Sequence, residues 1–203
     1  ILPEETVEEL KSKGKATARQ YRLASIMFTD FKSFTQIAEQ INPQDLVAEL
    51  DRYFIEFDGI IQKYNIEKIK TIGDAYMIAG GLDDRCPDYA HAIADMAIEM
   101  NATLNQNSEV NPLGLGIRIG ISTGPLIAGV VGKKKFIYDL WGDTVNIASR
   151  ITAEGSSGMI QCDATTYRRL ARAFIFEGPQ STSLKGKGNV DIYKLIKRKS
   201  VSK

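Results

Sequence analysis

Two periodicities of apolar residues alternate along the chain. Tyr21 to Thr29 (YRLASIMFT) is almost unbroken in its apolar character and reads as a buried strand ending in Asp30. From Pro43 to about Tyr64 the spacing changes. Leu46, Leu50, Phe54, Phe57, Ile61 and Tyr64 recur three and four residues apart, the single apolar face of a long helix. Glu67 to Ala79 (EKIKTIGDAYMIA) reads as two short strands joined by a tight turn at Gly73-Asp74. Gly80-Gly81 and Pro87 break this pattern, and a second helix follows with Ala90, Ile93, Ala97, Met100 and Leu104 inward. Leu115 to Ser122 and Leu126 to Val131 read as a strand pair about Gly124-Pro125, and Lys135 to Leu140 as a short extended segment. Thr144 to Ala153 and Asp163 to Ala171 read as helices, and the last third closes with strands around a Lys-Gly-Lys-Gly turn.

This order of strand, helix, hairpin, helix, strand predicts an α+β fold. Its core is a ferredoxin-like split β-α-β-β-α-β unit, a palm-like antiparallel sheet with helices on one face, followed by a C-terminal α/β extension. Residues 1–20 are polar, with Pro3 near a helix start, acids early and lysines late, an order that suits the helix dipole. They are expected to form a short connector helix ahead of a domain spanning 21–197, with a charged tail at 198–203.

Composition narrows the choice of chemistry more than the choice of fold. At 203 residues with a formal net charge of +1, the chain suits one domain and lacks the basic field that non-specific nucleic-acid binding requires. No apolar run approaches the roughly 20 residues that cross a bilayer. Cys86 and Cys162 have no paired spacing, so a reducing, cytoplasmic setting is the expectation. Because the sequence begins at Ile1, it is expected to be a piece of a longer signalling protein, membrane-bound or not, with a sensor or regulatory part upstream. With His91 as the single histidine, acid–base or metal chemistry has to rest on carboxylates, amides and cations.

Phosphate-loop, dinucleotide-fold and nucleophile-elbow patterns are absent; GVVGKKK at 129–135 has the wrong spacing for the first. Two aspartates remain at comparable points. Asp30 ends the first strand, and Asp74 sits at the turn of the hairpin that should lie beside it. Two hard oxygen ligands close together suit Mg²⁺ or Mn²⁺. Read singly, each aspartate is equally well a helix cap or a turn residue.

Taken together, FTDFKSFT, KIKTIGDAYM and YDLWGDTVNIASR resemble, in order and spacing, the three signature blocks of the class III adenylate and guanylate cyclases. The resemblance covers about Leu23 to Ile196. It implies active sites shared across a homodimer, with two metal ions in each. One subunit would hold the metals through Asp30, Phe31 and Asp74 and meet phosphate with Arg118 and the turn Phe31, Lys32, Ser33, Phe34 and Thr35. The other would supply Lys70, Asp139, Asn146, Arg150 and Lys185. In this reading Asn146 orients the ribose, Arg150 meets charge on the α-phosphate, and Lys185 holds the pyrophosphate end. Asn146 and Arg150, four apart on a helix, share one face.

Lys70 and Asp139 bear on the base. Adenine offers an acceptor at N1 and a donor at N6, whereas guanine offers the reverse; lysine only donates and an ionised aspartate only accepts. The pair therefore predicts ATP, and cyclic AMP with pyrophosphate as products. Guanylate cyclases of the family carry an acid where Lys70 stands and a small polar residue where Asp139 stands. A guanylate cyclase and a non-catalytic cyclase-like dimerisation or nucleotide-sensing module are the alternatives. The hairpin TIGDAYM lacks the signature of the diguanylate cyclases.

Overall fold

The computed structural model describes residues 3–32, 34–106, 110–132 and 135–200. Its elements run α1 (Glu4–Lys13), β1 (Arg19–Phe31), α2 (Phe34–Ala38), α3 (Pro43–Tyr64), β2 (Glu67–Ile72), β3 (Ala75–Gly80), α4 (Tyr89–Gln106), β4 (Ile117–Val131), β5 (Ile137–Trp141), α5 (Asp143–Glu154), β6 (Ile160–Asp163), α6 (Ala164–Leu170), β7 (Phe174–Leu184) and β8 (Gly188–Arg198). One sheet takes the order β2-β3-β1-β4-β6-β8-β7, with β5 paired to β4 off this path. Every pairing is antiparallel except β4 with β6. The first four strands with α3 and α4 are the expected split β-α-β-β-α-β unit, and the later elements are its extension.

Local chemistry sets the ends of the long helix. Asn42 caps α3 by accepting the Gln44 N–H at 2.9 Å, Pro43 occupies the first turn, and Asn65 closes it at φ 53° in the left-handed region. The buried face of α3 consists of Tyr53, Phe57, Ile60 and Ile61, and that of α4 includes Ile93, Ala97, Met100 and Leu104. Both pack with Met27, Phe31, Ile117, Ile119 and Ile121, the odd-numbered residues of β1 and β4, in the main core. Burying each such side chain contributes about 1.5–3 kcal/mol, so this layer accounts for much of the fold's stability.

The opposite face of the sheet is also covered. Ala24, Ile26 and Phe28 of β1 and Met77 of β3 form a second apolar cluster with Leu140 of β5 and Ala148 of α5. Helices thus lie on both faces: α3 and α4 on one, α5 on the other. Gly120 makes this possible, because a Cβ there would lie 2.4 Å from Thr152 Oγ1 and 2.6 Å from the Ala148 carbonyl. The helix backbone rests on the bare strand.

Two elements differ from the sequence expectation. Gly124-Pro125 does not turn the chain, and β4 runs straight through it as one strand of 15 residues. Opposite this point the β1 register shifts between Tyr21 and Ala24, so proline's missing N–H interrupts no regular ladder. The Pro125 carbonyl instead accepts the Thr144 hydroxyl at 2.7 Å, tying β4 to the start of α5. The short strand β6, which has only four residues, carried no periodic signal. Among the described residues no helix is long and apolar enough to cross a membrane.

Gly120→Ala should destabilise the domain by about 2 kcal/mol or more, the cost of overpacking against helix backbone. Urea unfolding of the two proteins measures it.

Candidate active site

The strand ladder brings Asp30 and Arg118 face to face, as direct partners across β1 and β4. Arg118 Nε donates to Asp30 Oδ2 at 2.9 Å and its Nη1 to the Ala153 carbonyl at 2.6 Å, at the C-terminal end of α5. Asp74 stands at the β2–β3 turn, beside Gly73 at φ 61°, and its carboxyl meets that of Asp30. Burial, reinforced by a hydrogen bond with Asp30 and by Asp30's charge, pushes the Asp74 carboxyl up to about 6 from the ordinary 3.8. Backbone N–H groups of Asp74 and Phe31 only partly offset this. Two carboxyls are thus crowded together, and one of them, Asp30, is paired with Arg118.

Lys70 of β2 and Asp139 of β5 also meet, with Nζ 2.6 Å from Oδ2. Both are partly buried, at 32% and 19% side-chain exposure. Asp139 also accepts its neighbour's N–H, from Leu140, at 2.8 Å. A register shift in β2 matters here. Lys68 lies opposite Ile78 and Lys70 opposite Met77, so Ile69 is an extra residue in the strand. Ile78 belongs to the core under α3 and Met77 to the cluster under α5. Lysines two apart would ordinarily share a face; this bulge places them on opposite ones.

Asn146 and Arg150 lie on α5, Asn146 exposed and Arg150 half-buried. Arg150 Nη1 is shielded from solvent and has no hydrogen-bond partner among the described residues. Its guanidinium lies about 3.9 Å from where a Cβ on Gly186 would be, so the β7–β8 turn sits over it. In that turn Lys185 is exposed, whereas Lys187 forms an ion pair with Asp143 in the first turn of α5. Nothing in the repeat Lys-Gly-Lys-Gly distinguished the two lysines beforehand.

The turn after β1 departs from expectation at one residue. The Lys32 N–H is spent on the Gly116 carbonyl at 2.9 Å, extending the strand pairing, so it is not free for a phosphate. Phe31 puts its ring into the core against Tyr53, 4.9 Å between centroids, leaving only its backbone for a ligand. Phe34 and Thr35 begin the short helix α2. Ser33 lies outside the described residues.

Two groups of charges are therefore assembled by the strands. Asp30, Asp74 and Arg118 are gathered at one place, and Lys70 with Asp139 at another. Asn146, Arg150 and Lys185 belong to α5 and the arm above it. A cavity of about 1180 Å³ between α1, α3 and residues 82–85 contains none of these side chains; several of its lining charges pair with one another, as Lys68 does with Asp58 and Arg19 with Glu5.

Residues 16–197 match the family model described as the adenylate and guanylate cyclase catalytic domain. An adenylate cyclase of Mycobacterium tuberculosis is 38% identical over 200 residues, 98% of this chain and 45% of that protein. Guanylyl cyclase C of Homo sapiens is also 38% identical, over 95% of this chain and 18% of its own length. The chain thus spans less than half of each of these curated relatives. The guanylate cyclase domain of RhGC from Catenaria anguillulae, solved in complex with GTP, superposes with a TM-score of 0.85 at 30% identity, covering 89% of this chain and 100% of that one. Fold, sequence blocks and family match agree, and the chain belongs to the class III nucleotidyl cyclase catalytic domains.

Proposed function

We propose that the domain is an adenylate cyclase, converting ATP to 3′,5′-cyclic AMP and pyrophosphate at sites shared across a homodimer. The observation that carries this reading is the Lys70–Asp139 pair, a donor and an acceptor held 2.6 Å apart. Adenine takes one hydrogen bond from a lysine at N1 and gives one to an aspartate from N6, whereas guanine would set like groups against each. The two side chains satisfy one another, so exchanging that bond for adenine's two leaves no buried group unpaired. The guanylate cyclase reading is kept in view by relatives of that activity at the same 38% identity.

In the reaction the ribose 3′-hydroxyl gives its proton to water, its oxygen attacks the α-phosphorus and the bond to the bridging oxygen breaks, so pyrophosphate leaves with that electron pair. Asn146 orients the ribose. Arg150, whose Nη1 is shielded and unpartnered, is placed to meet phosphoryl charge with a rigid planar cation. Lys185 holds the leaving end, and Arg118 turns from Asp30 towards phosphate. Phe34 and Thr35 N–H groups take part in phosphate binding with Ser33.

Asp30, Asp74 and the Phe31 carbonyl would hold Mg²⁺ or Mn²⁺, two ions per site completed by substrate phosphates. The donor set fits: all oxygen, with two carboxyls close enough that the Asp74 pKa is pushed up to about 6. Bound there, a metal would supply acidity to the 3′-hydroxyl and offset phosphate charge. No covalent enzyme intermediate is needed.

The dimer is supported by an exposed apolar strip on the β4–β5 hairpin. Ile127 faces Trp141 across the ladder and Val131 faces Ile137, and all four are 39–54% exposed. Large apolar groups side by side on a hairpin suit a second copy of the chain.

Incubating the domain with Mn²⁺ and either ATP or GTP, with chromatography of the products, tests the reaction. Cyclic AMP from ATP and none from an Asp74→Ala chain is expected; mainly cyclic GMP would overturn the reading of Lys70 and Asp139. Mixing Asp30→Ala with Arg150→Ala chains should restore activity to at most about a quarter of wild type, because half the dimers are mixed and each has one intact site. No restoration in demonstrated mixed dimers would refute the shared site.

A pH series tests the metal assignment. A carboxyl whose folded pKa is raised stabilises the fold below its unfolded pKa, and that contribution is lost as pH rises through about 6. In chelator, Asp74→Asn should therefore melt higher than wild type at pH 8, with the difference closing towards pH 4. Added Mn²⁺ should raise the wild-type melting temperature at pH 8 and leave the variant unmoved.

A further inference from the structure

The bulge at Ile69 sends Lys70 towards Asp139, and a bulge in an edge strand has to be held. Strand β2 is such an edge, hydrogen-bonded among the described strands only to β3. What ties it down on the far side is a compact polar cluster. Lys68 Nζ donates to both carboxylate oxygens of Asp58 on α3, at 2.7 and 2.9 Å. The Tyr76 hydroxyl of β3 donates to Asp58 Oδ1. The Lys68 ammonium also stands 4.7 Å from the centroid of the Tyr76 ring. Tyr76 is fully buried, wedged between Phe54 and Phe57 of the same helix, so the acceptor it reaches is fixed in place.

Asp58 therefore grips both strands of the hairpin that carries Lys70 and Asp74. Tyr76 is two residues beyond Asp74 and directly opposite Thr71, the neighbour of Lys70. Without the extra residue Lys68 and Lys70 would share one face, so either Lys68 would leave Asp58 or Lys70 would fall opposite Tyr76, on the α3 face and away from Asp139.

We propose that Asp58, Lys68 and Tyr76 are positioning residues that lock the β2 bulge and thereby set base selection by Lys70, with a smaller effect on Asp74. This rests on the reading of Lys70 and Asp139 as the base-binding pair. Of the three, Lys68 is the most informative to change, because its ammonium is partly exposed and it makes no apolar core contact that a methionine could not replace.

The test is calorimetric binding of 3′-deoxy-ATP and 3′-deoxy-GTP, which lack the attacking hydroxyl, in Mn²⁺ to the dimeric domain. Preference for the adenine nucleotide should fall about tenfold in Lys68→Met and in Tyr76→Phe, and Lys68→Arg should recover most of it. Leu195→Val, a core change remote from the hairpin, serves as the control: it should lower the melting temperature without moving the preference. An unchanged adenine preference in folded Lys68→Met overturns the proposal, as does an equal loss in Leu195→Val. If Tyr76→Phe fails to fold, the Lys68 pair decides alone. Absence of adenine preference in the wild type would strike the base-binding reading itself, a result separable from either outcome in the variants.

Discussion

The contact between α5 and the bare backbone of β4 at Gly120 is the constraint on which the arrangement of the site depends. Thr152 and Ala148 approach the strand more closely than any side chain would permit, and Thr144 fastens the other end of the helix to the Pro125 carbonyl. With both ends fixed, Asn146 and Arg150 are presented on a rigid element above the same sheet face that carries Asp30, Arg118 and Lys70. The β7–β8 arm then takes its position from α5, through Leu184 and Ile192 packing on Ile151 and through the Lys187–Asp143 ion pair. A side chain at residue 120 would move all of these groups together.

The charges on this face are arranged as pairs, which on the proposed reading a nucleotide and its metals would exchange for others. Asp30 is answered by Arg118 and crowds Asp74; Lys70 is answered by Asp139. Each pair avoids the cost of a buried lone charge. Arg150 is the exception, with one nitrogen shielded and unanswered, which marks where additional negative charge would be most welcome. The opposite face of the sheet has a different task. There α3 and α4 build the main core, and Asp58 reaches from α3 to the edge hairpin, so the stable half of the molecule sets the geometry of the reactive half.

Much of the architecture could be read from residue pattern, because it is encoded locally. The faces of α3 and α4, the turn at Gly73-Asp74 and the helix carrying Asn146 and Arg150 all follow from spacing over a few residues. The order of elements was enough for the split sheet, and Asp30 beside Asp74 followed from that topology. Where the reading went astray, the deciding partner was remote in sequence. Gly124-Pro125 has the composition of a turn, yet β1 supplies an irregular register opposite it and the strand continues. The Lys32 N–H was open to a phosphate until Gly116, 84 residues away, claimed it.

The candidate residues were legible as three blocks of sequence, since metal-binding and base-recognition chemistry demands particular side chains at particular spacings. What the blocks could not convey is direction. Lys68 and Lys70 stand two apart in a strand and should by periodicity share a face; only the bulge at Ile69, fixed by pairing to β3 and by Asp58 on a distant helix, separates them. Lys185 and Lys187 look alike in sequence, and only the position of α5 beneath the turn makes one an anchor. The amino-acid sequence by itself determined the elements, their order and the chemistry available. Tertiary structure decided which face each group meets and which partner it takes, because strand register and helix placement are set by contacts between segments that no local pattern records.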